Sequence, residues 1–278
     1  MPSYETPQPI TASLEFEVGN VRLSASTRQN TVVEVLPSNS ADDADVRAAQ
    51  QTEVTYANGT LALKGPRKRG LFGKIGSIDV AVGLPAGSHV RGASPMGDYI
   101  GEGPLGECRI KTSFGDIRLD EAATVNLRTG HGDIRVDRAA GDAEIHGAGR
   151  VDVGEIVGAA IVGNGNGETV VGEVTGDLKA KSANGRIAVG IAHASVEARS
   201  ANGAIGVRQV ARGVIDLRTG VGDVEVGIPE STAAWLDVHS KYGTVRNALG
   251  AAEGPSTSDE TVEIHARTGV GDIVIRRA

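Results

Sequence analysis

A single cysteine, Cys108, stands in 278 residues, which excludes an intrachain disulfide and leaves nothing resembling a cysteine-based zinc site. Aromatic residues are nearly as scarce, with three Phe, four Tyr and one Trp. A chain of this length is long enough to bury a core, so that core must be built from Val, Ile, Leu and Ala. No stretch approaches the roughly 20 apolar residues that a membrane-spanning helix needs. Met1 to Ile10 is polar and broken by proline, without the basic start and apolar run of a secretory leader. These absences predict a soluble, cytoplasmic chain without a transmembrane segment, for which peripheral membrane association stays open. Positive charge is also in deficit, 28 Lys and Arg against 35 Asp and Glu, for a net −7. That sign repels a phosphate backbone, so no nucleic-acid partner is expected.

What the chain has in excess is glycine, 39 residues, twice the usual share of ~7%. The glycines are placed by a repeat: apolar-x-apolar, Lys or Arg, Ser or Thr, two residues, Gly, a polar residue, and apolar-x-apolar again. Clear copies run from Lys111 to Leu119 and Arg128 to Val136, with others from Lys181, Arg199, Arg218 and Arg267. The marker glycines are Gly97, Gly115, Gly132, Gly149, Gly167, Gly185, Gly203, Gly222, Gly243 and Gly271. Their steps are 18, 17, 17, 18, 18, 18, 19, 21 and 28 residues. The two long steps read as corner insertions, Pro229 to Ala234 and Asn247 to Asp259.

Period two on either side of each marker makes the unit two short strands joined by a glycine corner. Ile117, Ile134, Val151, Ile187, Ile205, Val224, Val245 and Ile273 should point inward, with Arg118, Arg135, Asp152, Glu225 and Arg246 outward. A meander of hairpins would accept such units but gives no reason for their equal length. A β-solenoid does, because equivalent residues of successive coils stack at the strand spacing of about 4.8 Å. The fold class predicted is therefore all-β: a single parallel β-solenoid, or β-helix, of about 17–19 residues per coil. Thr112, Thr129, Ser182, Ser200, Thr219, Ser240 and Thr268 share one repeat position and should form a corner ladder whose hydroxyls bond neighbouring coils.

Residues 1–90 repeat less regularly and read as an irregular, β-rich N-terminal part capping the solenoid, with residues 91–278 as its regular coils in one continuous domain. Leu14 to Leu23 already shows the strand, Gly, strand unit around Gly19. Thr31 to Leu36, Glu53 to Tyr56 and Leu61 to Lys64 read as strands, Asp42 to Asp45 as an acidic loop, and Asn58-Gly59 as a turn.

These residues resemble a known group, the bacterial DUF4097 β-strand-repeat proteins, labelled "putative adhesins". The likeness covers nearly the whole chain. It rests on the Gly-Asp-Ile-x-Val type repeats, on Asp45-Val46-Arg47 through Val54 to Leu61-x-Leu63, and on Gly70-Leu71-Phe72-Gly73 leading to Ser77-Ile78-Asp79-Val80 and Leu84-Pro85-Ala86-Gly87-Ser88. The resemblance implies a β-solenoid often connected with the cell envelope, and it supplies no catalytic residues.

Candidate chemistry is thin. The Gly-x-Gly-Asp corners at Gly130, Gly220 and Gly269 look like calcium β-rolls, but the unit is too long and Asp directly follows Gly, so turn residues explain them better. Asp98, Asp116, Asp133, Glu168, Asp223 and Asp272 recur at one position and could stack as carboxylates in a glycosidase-like array. A catalytic pair interrupts a repeat, whereas these residues constitute it. No metal, cofactor or catalytic residue is assigned. The one strongly local feature is basic: Arg67, Lys68, Arg69 and Lys74 beside Leu71 and Phe72, which could touch an anionic partner such as lipid headgroups or an acidic protein. Strand Ile273 to Ile275 lies next to the chain's end, so the C-terminal coil should expose an edge for self-association. The function expected is a non-enzymatic scaffold or binding protein of the adhesin type, meeting a protein or envelope component. The alternative is a carbohydrate-active β-helix enzyme, a polysaccharide lyase or hydrolase.

Overall fold

The period-two alternation is realised as strands throughout. The computed structural model describes residues 2–66, 74–249 and 260–278, and among these are twenty-four strands and one helix. The chain divides into two compact units, Met1–Arg138 and Ala139–Ala278.

The first unit contains β1 (Ser3–Glu5), β2 (Thr11–Glu15), β3 (Val18–Ser26), β4 (Asn30–Pro37), α1 (Asp43–Gln51), β5 (Glu53–Ala57), β6 (Thr60–Lys64), β7 (Ile78–Pro85), β8 (His89–Phe114), β9 (Ile117–His131) and all but the last residue of β10 (Ile134–Ala139). Its first coil, β2 and β3 around Gly19, lies inside the stack. Strand β2 is parallel to β6 on one side and to β8 on the other, and β3 is likewise held between β7 and β8. Outside this coil the pairing turns antiparallel: β5 returns against β6 through the Asn58-Gly59 turn, and β4 lies between β7 and β1. Asn58 and Gly59 both take positive φ, at 49° and 73°, as a tight two-residue hairpin turn requires.

The stretch expected as an acidic loop is helix α1. Asp42 caps it, accepting from Ala44 N at 2.9 Å, and Asp43 and Asp45 occupy the first turn, where carboxylates complement the helix dipole. Asp45 also accepts from Asn39 N and Ser77 N, tying the helix to the flanking chain. Period counting missed it because only Ala44 and Ala48 of its apolar residues are buried.

The second unit contains β11 (Ala143–Gly147), β12 (Val151–Ile156), β13 (Ala160–Asn166), β14 (Thr169–Val174), β15 (Leu178–Asn184), β16 (Ile187–Ala192), β17 (Val196–Asn202), β18 (Ile205–Val210), β19 (Gly213–Val221), β20 (Val224–Ile228), β21 (Thr232–Tyr242), β22 (Val245–Asn247), β23 (Glu260–Val270) and β24 (Ile273–Arg277). Odd strands pair with odd and even with even, all in parallel, and Ala143, Ala160, Leu178, Val196 and Ile215 stack in register. The steps of 17, 18, 18 and 19 residues between them are those of the repeat. This is the predicted parallel β-solenoid fold.

At its end, chain order and stacking order part. Strand β23 pairs with β19 on one side and β21 on the other, and β24 is held in the same way between β20 and β22. The last coil of the sequence is therefore the last but one in space. Two expectations are corrected. The strand Ile273 to Ile275 is not an open edge, because both its neighbours are in place. Thr232, Ala233 and Ala234 are not a corner insertion, because they begin β21. The rest of that predicted pair of insertions falls partly on residues 250–259, outside the described residues.

The core is aliphatic. Ile117, Ile134, Val151, Ile187, Ile205, Val224 and Ile273 are all buried as the alternation requires, while Val245, in the outermost coil, is 43% exposed. Two large rings are accommodated: Tyr99 is fully buried, 6.0 Å from the buried Phe16, with its hydroxyl donating to Ser94 Oγ. Gly92 makes the space, since a Cβ there would lie 2.6 Å from the Tyr99 ring.

Candidate functional site

The repeated polar residues build the corners. Asp98 Oδ1 accepts from Asp116 N at 2.8 Å and Asp116 Oδ1 from Asp133 N at 2.9 Å. In the second unit Asp223 Oδ1 accepts from Asp272 N and Asp272 Oδ1 from Thr244 N, both at 2.8 Å. Each carboxylate thus binds the backbone of the equivalent corner in the next layer. The backbone hydrogen bond from Thr244 holds the Asp272 carboxyl below the usual carboxylate range. Glu168, at the same repeat position, instead faces Arg150 at 3.5 Å.

A second ladder runs inside the corner. Thr129, Ser200, Thr219 and Thr268 donate to the carbonyls of Gly115, Gly185, Gly203 and Gly222 in the layer before, at 2.8–3.3 Å. Ser240 donates to Gly271 O at 2.8 Å, Thr112 donates within its own corner to Phe114 O, and the buried Ser182 hydroxyl has no partner. The marker glycines admit this stacking. Gly115, Gly132, Gly167, Gly185, Gly203, Gly222 and Gly271 take positive φ, and a Cβ on any of them would fall within 2.6 Å of the preceding corner's carbonyl oxygen. Gly97 and Gly243 are as tightly packed, against Gly19 O and Gly271 O, and Gly149 lies in the bend between β11 and β12.

The outer face of the second unit is a lattice of alternating charge. Lys179 and Arg199 both reach Glu197, at 3.0 and 3.1 Å, and Asp216 is bonded by Arg218 at 2.8 Å. These partners lower the Glu197 carboxyl and raise the Arg218 guanidinium from their ordinary values, chiefly through Lys179 and Asp216. All are solvent-facing pairs of small energetic worth.

The lattice continues onto the outermost strand and changes character there. Trp235, 58% exposed, meets the His265 ring edge-on at 5.4 Å. His265 Nε2 lies 2.9 Å from Glu263, and the Asp237 carboxyl is lowered chiefly by His265, whose Nδ1 lies 3.4 Å away, and further by Arg267 at 2.8 Å. Tyr242, 64% exposed, carries the Lys241 ammonium 5.2 Å from its ring centre. Both exposed rings, Trp235 and Tyr242, belong to β21, and period-two alternation gave no sign that this strand lies at the end of the stack.

In the first unit, an open cleft of about 1410 Å³ lies beneath α1, lined by Phe16, Arg47, Lys64, Lys74, Ser94 and Lys111 among others. Glu15, Glu17 and Glu53 share its walls, so its charge is mixed. Of the predicted basic feature, Lys74 is exposed and pairs with the helix-capping Asp42, which raises its ammonium and lowers the carboxyl. Arg67, Lys68, Arg69, Leu71 and Phe72 lie outside the described residues. Cys108 is buried, and desolvation pushes its thiol up to about 12. Among the described residues no group of three or more His, Cys, Asp or Glu is placed to hold a metal ion, and no helix is long and apolar enough to cross a membrane.

Fold and corners together define a parallel β-solenoid whose recurring polar residues are structural. The chain belongs to the Toastrack DUF4097 family, whose profile matches residues 11–277. No curated protein matches. Similar solved structures include a "putative adhesin" from Bacteroides fragilis, 14% identical, covering 99% of this chain and 95% of that one at a TM-score of 0.41. A "putative cell adhesion protein" from Clostridium sporogenes is 13% identical with coverages of 100% and 98% and a TM-score of 0.26. A "putative adhesin" from Parabacteroides distasonis is 12% identical, with coverages of 98% and 95% and a TM-score of 0.34.

Proposed function

We propose that the protein is a non-catalytic solenoid scaffold that works by surface binding, in the cytoplasm and against a protein or cell-envelope component. The observation carrying this reading is the occupation of the corner carboxylates. Asp98, Asp116, Asp223 and Asp272 each hold a backbone N–H of the next coil, so they are spent on the stack and are not a free acid and base flanking a bound sugar. What the coils offer outward is a rigid, evenly spaced array of charged side chains, suited to an extended partner. The basic run Arg67 to Arg69 extends the proposal to an anionic partner.

The test runs binding and turnover side by side. The purified protein is incubated with insoluble envelope fractions and with acidic and neutral polysaccharides, and both sedimentation with the fraction and release of reducing ends are measured. Retention without turnover is expected, with retention reduced when Arg67, Lys68 and Arg69 are replaced by Ser. Sustained release of reducing ends, abolished by changing a single carboxylate, would overturn the scaffold reading.

A further inference from the structure

Strand β21 is the outermost strand of its sheet in the second unit: among the described residues it pairs with β23 alone, and β22 pairs with β24 alone. The backbone direction along this stack is fixed. Leu178 N donates onward to Ser195 O, and Leu178 is carried in register through Val196, Ile215 and Ile264 to Leu236. The backbone groups of Leu236, and of Val238 and Ser240 at alternate positions after it, therefore point away from β23, toward a following strand. The coil's interior is open at the same place. Ile264 and Ala266 are fully buried, while their register partners Leu236 and Val238 in β21 are only half-buried. Among the described residues this leaves an unpaired edge over a half-covered aliphatic core, a template for another strand.

The outward side chains of β21 say which strand. They read Trp235, Asp237, His239 and Lys241, symmetric about Val238. If a second copy of β21 lies antiparallel with its Val238 opposite Val238, Asp237 of each chain faces His239 of the other, and Trp235 faces Lys241. Two carboxylate–imidazole contacts and two cation–π contacts form at once, on the non-hydrogen-bonded positions where cross-strand side chains are closest. Leu236, Val238 and Ser240 exchange backbone hydrogen bonds in the same register. A parallel copy in register would instead set Asp237 against Asp237 and Lys241 against Lys241. Antiparallel pairing about one axis is also the geometry of a closed, two-fold contact, which stops at two copies.

We infer that two copies of this chain associate through β21, pairing antiparallel about Val238. The dimer edge is thus Thr232–Tyr242, in the coil before the C-terminal one, and this inference stands whether or not the scaffold binds an envelope component.

Sedimentation velocity on the full chain over rising concentration tests it, together with four single variants. The wild type is expected to shift from one chain mass to two, and Val238→Lys to stay at one with its strand circular-dichroism signal kept. Lys241→Glu, at an exposed site, should weaken dimerisation several-fold, which keeps the test valid if Val238→Lys fails to fold. Under oxidising conditions Val238→Cys should give a covalent dimer, since directly opposed residues lie within disulfide range. Leu236→Cys should not, its symmetry mate being four residues along, about 13 Å away. A wild type that is monomeric throughout, a dimer indifferent to both Val238→Lys and Lys241→Glu, or cross-linking at Leu236 in place of Val238 would each overturn the inference.

Discussion

Gly243 packs on Gly271: a Cβ added to Gly243 would sit 2.0 Å from the Gly271 carbonyl oxygen. Gly271 in turn packs on Gly222, although Gly243 lies between them in the sequence. The last coil is therefore inserted between two that precede it. Arg277 fastens the insertion, its guanidinium donating to Pro229 O at 2.6 Å and Thr232 O at 3.1 Å, where the chain passes from β20 to β21.

Gly271→Ala should be among the most damaging single-methyl changes. Its φ of 145° is unfavourable for alanine and the added carbon would fall 2.2 Å from Gly222 O, backbone that cannot yield cheaply. A loss of roughly 1–3 kcal/mol is expected from overpacking. Gly206→Ala, where the nearest atom is 3.6 Å away, should be nearly neutral. Chemical denaturation of both variants checks the contrast.

The hydroxyl ladder should be uneven. Thr219→Val removes a bond to Gly203 O at nearly constant shape and should cost about 1 kcal/mol. Ser182→Ala removes a buried hydroxyl that has no partner and should cost nothing or stabilise. Equal losses at the two sites, measured by thermal melting, would refute this account of the ladder.

Gly92→Ala should displace the Tyr99 ring, whose Cε1 lies 2.6 Å from the new carbon. In the wild type, burial pushes the phenol up to about 12, so a fall in the Tyr99 titration in the variant, followed by ultraviolet difference absorbance, would show the displacement.

Acid should loosen the end of the second unit. The Asp272 and Asp237 carboxyls are both lowered in the folded chain, by the Thr244 backbone and by His265 with Arg267. A carboxyl lowered on folding contributes stability in full above its ordinary value and loses it as pH falls through the lowered one. Melting temperature should therefore hold down to the ordinary carboxylate range and drop below it. Asp272→Asn should melt lower at neutral pH and converge on the wild type in acid, with Thr244 amide exchange quickening first.

Cys108 should resist alkylation in the native chain and react on unfolding, because its thiol is buried and raised to about 12. Labelling followed by mass spectrometry reads this directly, and it leaves an introduced cysteine at Val238 as the reactive one.

The sequence alone determined the coil. Equal steps between marker glycines and the apolar alternation around them require strands of one length stacked in register, and Gly115, Asp116 and Thr129 stand where that pattern puts them. These are local periodicities, and a local rule can be read along the chain. Only the tertiary structure decided which coil touches which. Sequence spacing could not show that β23 fits between β19 and β21, because every coil offers the same backbone edge to any other. The choice is made by the connections and by packing such as Arg277 over Pro229 and Thr232. The same holds for Trp235, Asp237, His239 and Lys241, an ordinary stretch of strand until its position at the end of the stack left its outer edge without a neighbouring strand among the described residues.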